Sequence, residues 1–310
     1  MNVSTSPSAA LHRTIHAITA SCLVAAAACP GNAGAFTPND NADILNFCPS
    51  DDLQRIIAKR TGSGGMKFAF NAIERADGGE PTNVDSYQVK VTSLPKLPNT
   101  AQPATPEALF NYLRSHLAEL IDQTNSQFGP YDGAVDKPIW NQADPTGALM
   151  LFDILNKFGS VRSKDKSSRI ERALVVVSDI KRSADRYYWR FSTIGADDTW
   201  KPDFSAYGDH PVSGTREFGL YKSGTAWVAY TRGADRATGG VIDHWNRDEI
   251  FKGADDLWKS FQTRFARFVN ANGGAAAALP AERQEPQWKD LVKDGVVKLS
   301  CNWRKDAVKP

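Results

Sequence analysis

Four runs between residues 172 and 231 leave this chain few ways to fold. Arg172–Ile180, Tyr187–Ile194, Arg216–Tyr221 and Thr225–Thr231 are rich in β-branched and aromatic residues, which suit a pleated, half-buried surface. Lys222-Ser-Gly224 is short enough to join the last two as a hairpin, which makes them antiparallel. Two earlier runs, Met66–Ile73 and Tyr87–Thr92, alternate apolar and polar side chains, with glycine, proline and asparagine between them. Helical patterns flank the β-rich stretch instead of interrupting it, so the expected class is α+β, an antiparallel β-sheet packed by helices on one face.

The helical patterns differ in strength. Asp43–Cys48 and Asp51–Arg60 read as short helices, the second opened by acids that suit a positive helix start. At Thr105-Pro106-Glu107 a cap, a proline in the first turn and an acid mark another start, followed by a stripe of Leu109, Phe110, Leu113, Leu117, Leu120 and Ile121. Thr146–Lys157 is apolar around most of its circumference, which predicts a buried helix. Asp255–Asn270 predicts a long C-terminal helix with Leu257, Trp258, Phe261, Phe265 and Phe268 inward, and Ala275–Pro280 reads as a linker. Over roughly residues 86–271 this order is similar to that of helix-grip proteins of the START and polyketide-cyclase kind. The resemblance implies an apolar ligand held between sheet and C-terminal helix.

The N-terminus bears on compartment. Arg13 is the only formally charged residue in 1–35, and it precedes the apolar run Ala17–Cys29 and the small-residue sequence Ala33-Gly34-Ala35. These are the three parts of a secretory signal, and the run is too short to span a bilayer. Cleavage is expected after Ala35, for a secreted or periplasmic product that meets the membrane only during export; acylation of Cys29 is the alternative. The expected layout is a leader at 1–35 and one α+β domain at 36–310. That domain comprises a helical segment at 36–65, sheet and helices at 66–274, and a linker and tail at 275–310. Removing the leader leaves Cys48 and Cys301, which an oxidising compartment would join. Closing a loop of about 250 residues removes unfolded-state entropy worth on the order of 5 kcal/mol.

The formal net charge of +2 gives no reason to expect nucleic acid as a partner, and no cofactor fingerprint or metal-ligand spacing stands out. His244 and Asp248 share a spacing that two metal ligands can use, but two ligands do not make a site. Asp209, His210 and Ser213 are the candidate catalytic residues, a carboxylate, an imidazole and a hydroxyl that could act together in acyl transfer. A glycine- and proline-rich turn gives the same residues without chemistry. Arg216, Arg232 and Arg236 are candidate ligand-binding residues, because guanidinium forks suit a carboxylate or phosphate; Asp235 could pair with either of the last two. Trp189 and Trp227, with Tyr187, Phe191 and Phe218 beside them, could line an apolar pocket or be core. The leading expectation is therefore a binding protein for a small apolar, amphipathic or anionic ligand, or for a host or envelope partner. The alternative is a secreted hydrolase or toxin-like enzyme.

Overall fold

The computed structural model describes residues 37–60, 68–76, 81–124, 126–155, 169–196, 210, 212–237 and 247–298. The expected leader, Asp209, His244 and Cys301 lie outside them. Among the described residues the strands are β1 (Phe68–Phe70), β2 (Asn83–Ser93), β3 (Ser126–Pro130), β4 (Leu149–Leu155), β5 (Arg169–Arg182), β6 (Arg186–Ala196), β7 (Val212–Ser223), β8 (Ala226–Ala237), β9 (Ala275–Ala278) and β10 (Glu282–Gln284). The helices are α1 (Ala42–Leu45), α2 (Asp51–Lys59), α3 (Pro106–Ser115), α4 (Leu117–Leu120), α5 (Asp136–Trp140), α6 (Arg247–Ala271) and α7 (Trp288–Lys293). No helix among the described residues is long and apolar enough to cross a membrane.

One antiparallel sheet runs β10-β2-β8-β7-β6-β5-β4-β3, with β1 added to the end of β6 and β9 to β2. The α+β class and the long C-terminal helix are as the sequence pattern leads one to expect. Thr105 caps α3, its hydroxyl accepting the Ala108 N–H at 3.1 Å, and the leucine stripe is fully buried. The β7–β8 hairpin turns with Ser223 opposite Ala226, and Gly224 at φ +60 supplies the left-handed residue this turn requires.

Three local expectations are corrected. Thr146–Lys157 is not a helix: Leu149–Leu155 is the strand β4, paired with both β3 and β5. Its apolar residues go to two faces, Met150 to the large core on one side and Leu149 to a smaller cluster with Leu53, Ile57 and Leu174 on the other. A strand covered on both faces looks like a buried helix, since both lack a polar side. The alanines of the expected linker form β9, whose edge position depends on backbone hydrogen bonds, with Asn270 holding Ala276 by two side-chain bonds. The Met66–Ile73 run is a strand only over Phe68–Phe70 among the described residues, and Ile73–Arg75 is a 3-10 turn.

The sheet therefore has two different faces. One, under α3 and α6, carries the large core: Phe110, Trp189, Phe218, Phe261 and Phe265, all fully buried. The other is apolar near α2 and polar along β6, β7 and β8, where α1 and the residues flanking it cover it.

Candidate functional site

The space that a helix-grip ligand would take is filled by rings. Trp189 stacks on Phe218 with centroids 5.1 Å apart and planes 8° from parallel. It also meets Phe110 at 5.6 Å and Trp140 at 6.2 Å. Trp227 sits half-buried at the core's margin against Tyr187, at 5.9 Å.

His210 is buried, and its Nδ1 accepts the Val212 N–H at 3.2 Å. Burial pushes the imidazole down to about 4. The ring is therefore neutral at pH 7, and acceptance at Nδ1 assigns its proton to Nε2. Ser213 is fully buried in β7, opposite Arg236 on β8. Arg236 donates to the Ile73 carbonyl at 3.1 Å and lies over the Trp288 ring.

The other two arginines belong to separate networks on opposite faces. On the helix-covered face, Arg216 Nη2 donates to both oxygens of Asp85 at 2.8 Å and its guanidinium lies 4.4 Å from the Trp258 ring. Asp235 joins this group, 3.8 Å from Arg216 and reached by the Asn83 amide, which also donates to Asp85. Asp235 thus pairs with neither Arg232 nor Arg236. Adjacent residues of a strand point to opposite faces, so its chain neighbours are out of reach. Burial, then the Asp85 charge, pushes the Asp235 carboxyl up to about 7, against the opposing pull of Arg216.

Asp235 gives a prediction with a definite sign. Its folded-state value lies above its ordinary 3.8, so folding favours the protonated form. That contribution is complete below the ordinary value and is lost as pH rises to and through about 7. In urea unfolding, Asp235→Asn should gain stability over wild type on going from pH 5 to pH 8. A difference that does not change with pH would refute this account.

On the opposite face, Glu217 is fully buried between strands and takes three guanidinium groups. Arg190 Nε donates to it at 2.7 Å, Arg186 Nη2 at 2.7 Å and Arg232 Nη2 at 3.0 Å, and the Tyr230 hydroxyl adds 2.6 Å. Burial alone would raise this carboxyl, but Arg232 and Arg190 foremost hold it down at about 2. Arg190 Nη2 and the same Arg232 Nη2 both donate to one oxygen of Asp43, each at 2.7 Å. Arg190 lies between the rings of Phe47 and Tyr188, 4.8 Å from each. A bulge in β5 between Val177 and Asp179 turns Asp179 onto this face, where it accepts the Tyr188 hydroxyl.

Two residues further along the same strands is a small, open-mouthed crevice with about 20 Å³ of free internal space. Ser192, Thr215 and Ala234 floor it, Ile44 and Phe47 roof it, and Phe70–Ile73 wall it. Asn71 Nδ2, on that wall, is buried with no hydrogen-bond partner among the described residues.

Sequence reasoning singled out Arg216, Arg232 and Arg236 but passed over Glu217, Arg190 and Asp43. The signal was a charged residue in mid-strand between apolar ones, as in Trp189-Arg190-Phe191 and Glu217-Phe218, since charges are buried only in company. Among the described residues no group of three or more His, Cys, Asp or Glu side chains is placed to hold a metal ion.

No family model matches the chain, and no curated protein matches it. Among solved structures it is similar to a conserved protein from Geobacillus kaustophilus, with TM-score 0.33 and 13% identity over 63% of this chain and 98% of that one. It is similar also to human STARD10, with TM-score 0.34 and 8% identity over 73% of this chain and 84% of that one. Likeness at this level decides nothing about ligand or activity.

Proposed function

We propose that the chain is exported, loses residues 1–35, and acts by binding a small amphipathic ligand. The observation that carries this is a crevice with apolar and hydroxyl lining, an unmatched amide donor, and the buried Arg190 with the half-buried Arg186 and Arg232 beside it. A few placed polar groups within an apolar concavity are what a small-molecule site consists of. The hydrolase reading has less support, because Nδ1 of His210 already accepts the Val212 N–H and Ser213 is fully buried in β7.

The proposed Cys48–Cys301 bridge draws support from Asn46. Its amide donates to the Val296 carbonyl at 2.8 Å and its oxygen accepts the Lys298 N–H, so the chain before Cys48 lies against the chain that leads to Cys301.

Native mass spectrometry of protein recovered from periplasm or medium tests both halves. The expected polypeptide begins at Phe36, is two hydrogens lighter than its reduced mass, and carries an additional small-molecule mass that dissociates on activation. A bare polypeptide would overturn the binding reading, and one beginning at Met1 with two alkylatable thiols would overturn export.

A further inference from the structure

We infer that the sheet face beneath Asn41–Pro49 is a binding site for an amphipathic monocarboxylate, and that the chain's own Asp43–Pro49 segment occupies it here as a self-ligand. This deepens the reading above by assigning the site and the ligand's chemistry.

The polar half of the site is already shown holding a carboxylate. One oxygen of Asp43 takes two 2.7 Å bonds, from Arg190 Nη2 and Arg232 Nη2. Such short, charge-assisted contacts are the usual way arginine recognises a carboxylate. Both guanidiniums are held from behind by Glu217, at 2.7 Å from Arg190 Nε and 3.1 Å from Arg232 Nε. The forks therefore keep their aim whether or not Asp43 is present, which lowers the ordering cost of binding. The groups in direct ion pairs here are Arg186, Arg190 and Arg232 against Glu217, Asp179 and Asp43, with Asp40 and Glu282 further out. With Asp43 removed, three cations face two anions, an excess that one monoanion neutralises.

The apolar half follows in register. Arg190, Glu217 and Arg232 are cross-strand neighbours, and Ser192, Thr215 and Ala234 lie two residues along on the same face, a step of about 7 Å. A carboxylate at the Asp43 position thus has beside it, for a short apolar body, the small crevice together with the places that Ile44 and Phe47 now fill, with Asn71 in its lining. The segment now there has the same design, an acid followed by Ile44 and Phe47. Its latch is accessible, the Asp43 side chain being 45% exposed while that of Arg190 is 8% exposed. The residues holding it down are the four-residue α1 and its flanks, and a helix this short owes its persistence to its contacts. A free ligand must therefore compete with Asp43, and its apparent affinity is reduced by the fraction of time the segment is displaced.

Calorimetric titration of the mature chain with octanoate, octanol and inorganic phosphate tests this. Asp43→Asn keeps the volume and removes the competing charge, so octanoate should bind it about tenfold or more tighter than wild type. Adding Arg232→Gln should abolish that gain, with far-UV circular dichroism and the urea midpoint showing that each variant is folded. Equal octanoate affinity in wild type, Asp43→Asn and the double variant would overturn the site while leaving a binding function intact, as would a co-purified ligand retained by the double variant. Octanol binding as tight as octanoate would remove the carboxylate from the proposal, and phosphate binding as tight would remove the apolar half. A folded Asp43→Asn that binds none of the three overturns the inference outright.

Discussion

Glu217→Gln should lower the unfolding free energy by about 3–5 kcal/mol, the usual cost of removing one partner from a buried charge group. Three guanidiniums and the Tyr230 hydroxyl converge on this fully buried carboxylate. Glutamine fills the same volume but leaves three guanidiniums with only the partly exposed Asp43 and Asp179 as opposite charges. The pH dependence has a fixed sign. Because the folded value is held near 2 and the ordinary value is 4.5, the stabilisation is complete above the ordinary value and drains away as pH falls through the folded one. Urea unfolding at neutral pH and again at pH 3 should therefore show the wild type and Glu217→Gln converging in acid. Equal stability at neutral pH would mean that the arginines are satisfied without this carboxylate.

Trp189→Ala should cost about 3–5 kcal/mol by a different mechanism, the cavity left by a large ring in a close-packed core. The ring is fully buried and braced by Phe218 of β7, Phe110 of α3, Trp140 of α5 and Phe191 of β6, so closing the gap requires one of these elements to move. Its Nε1 has no hydrogen-bond partner among the described residues, so Trp189→Phe, which removes that unmatched donor with part of the volume, should cost much less than alanine. Chemical denaturation of the two variants checks the ordering. If phenylalanine costs as much as alanine, the packing account fails.

How much of this could be read from residues alone varies with the range of the interaction. Thr105 with Pro106 marked the start of α3, because a cap is settled within four residues. The alternation that puts the rings of Tyr187, Trp189 and Phe191 on one side of β6 is legible for the same reason, being local. Leu149–Leu155 was misread because an absence of polar residues says only that a segment is covered all round. The arginine networks were out of reach for a further reason. Glu217 meets Arg190 and Arg232 through strand register across β6, β7 and β8, and Asp179 reaches the same face only because of a bulge. Arg216 and Arg232 stand together as candidate ligand-binding residues in the sequence, yet the register of β7 and β8 sends them to opposite sides of the sheet.

The margins of the sheet bear on whether copies of this chain can pair edge to edge. An uncovered strand is a template on which another copy can polymerise. At one margin β2 is shielded along its length by β9 and β10, pieces of the chain's own C-terminal part. At the other, β3 is five residues long and ends at Pro130, which lacks the N–H that a further strand would need. Fibrous growth is thus discouraged at both margins, and loss of residues 275–284 would expose the longer of the two.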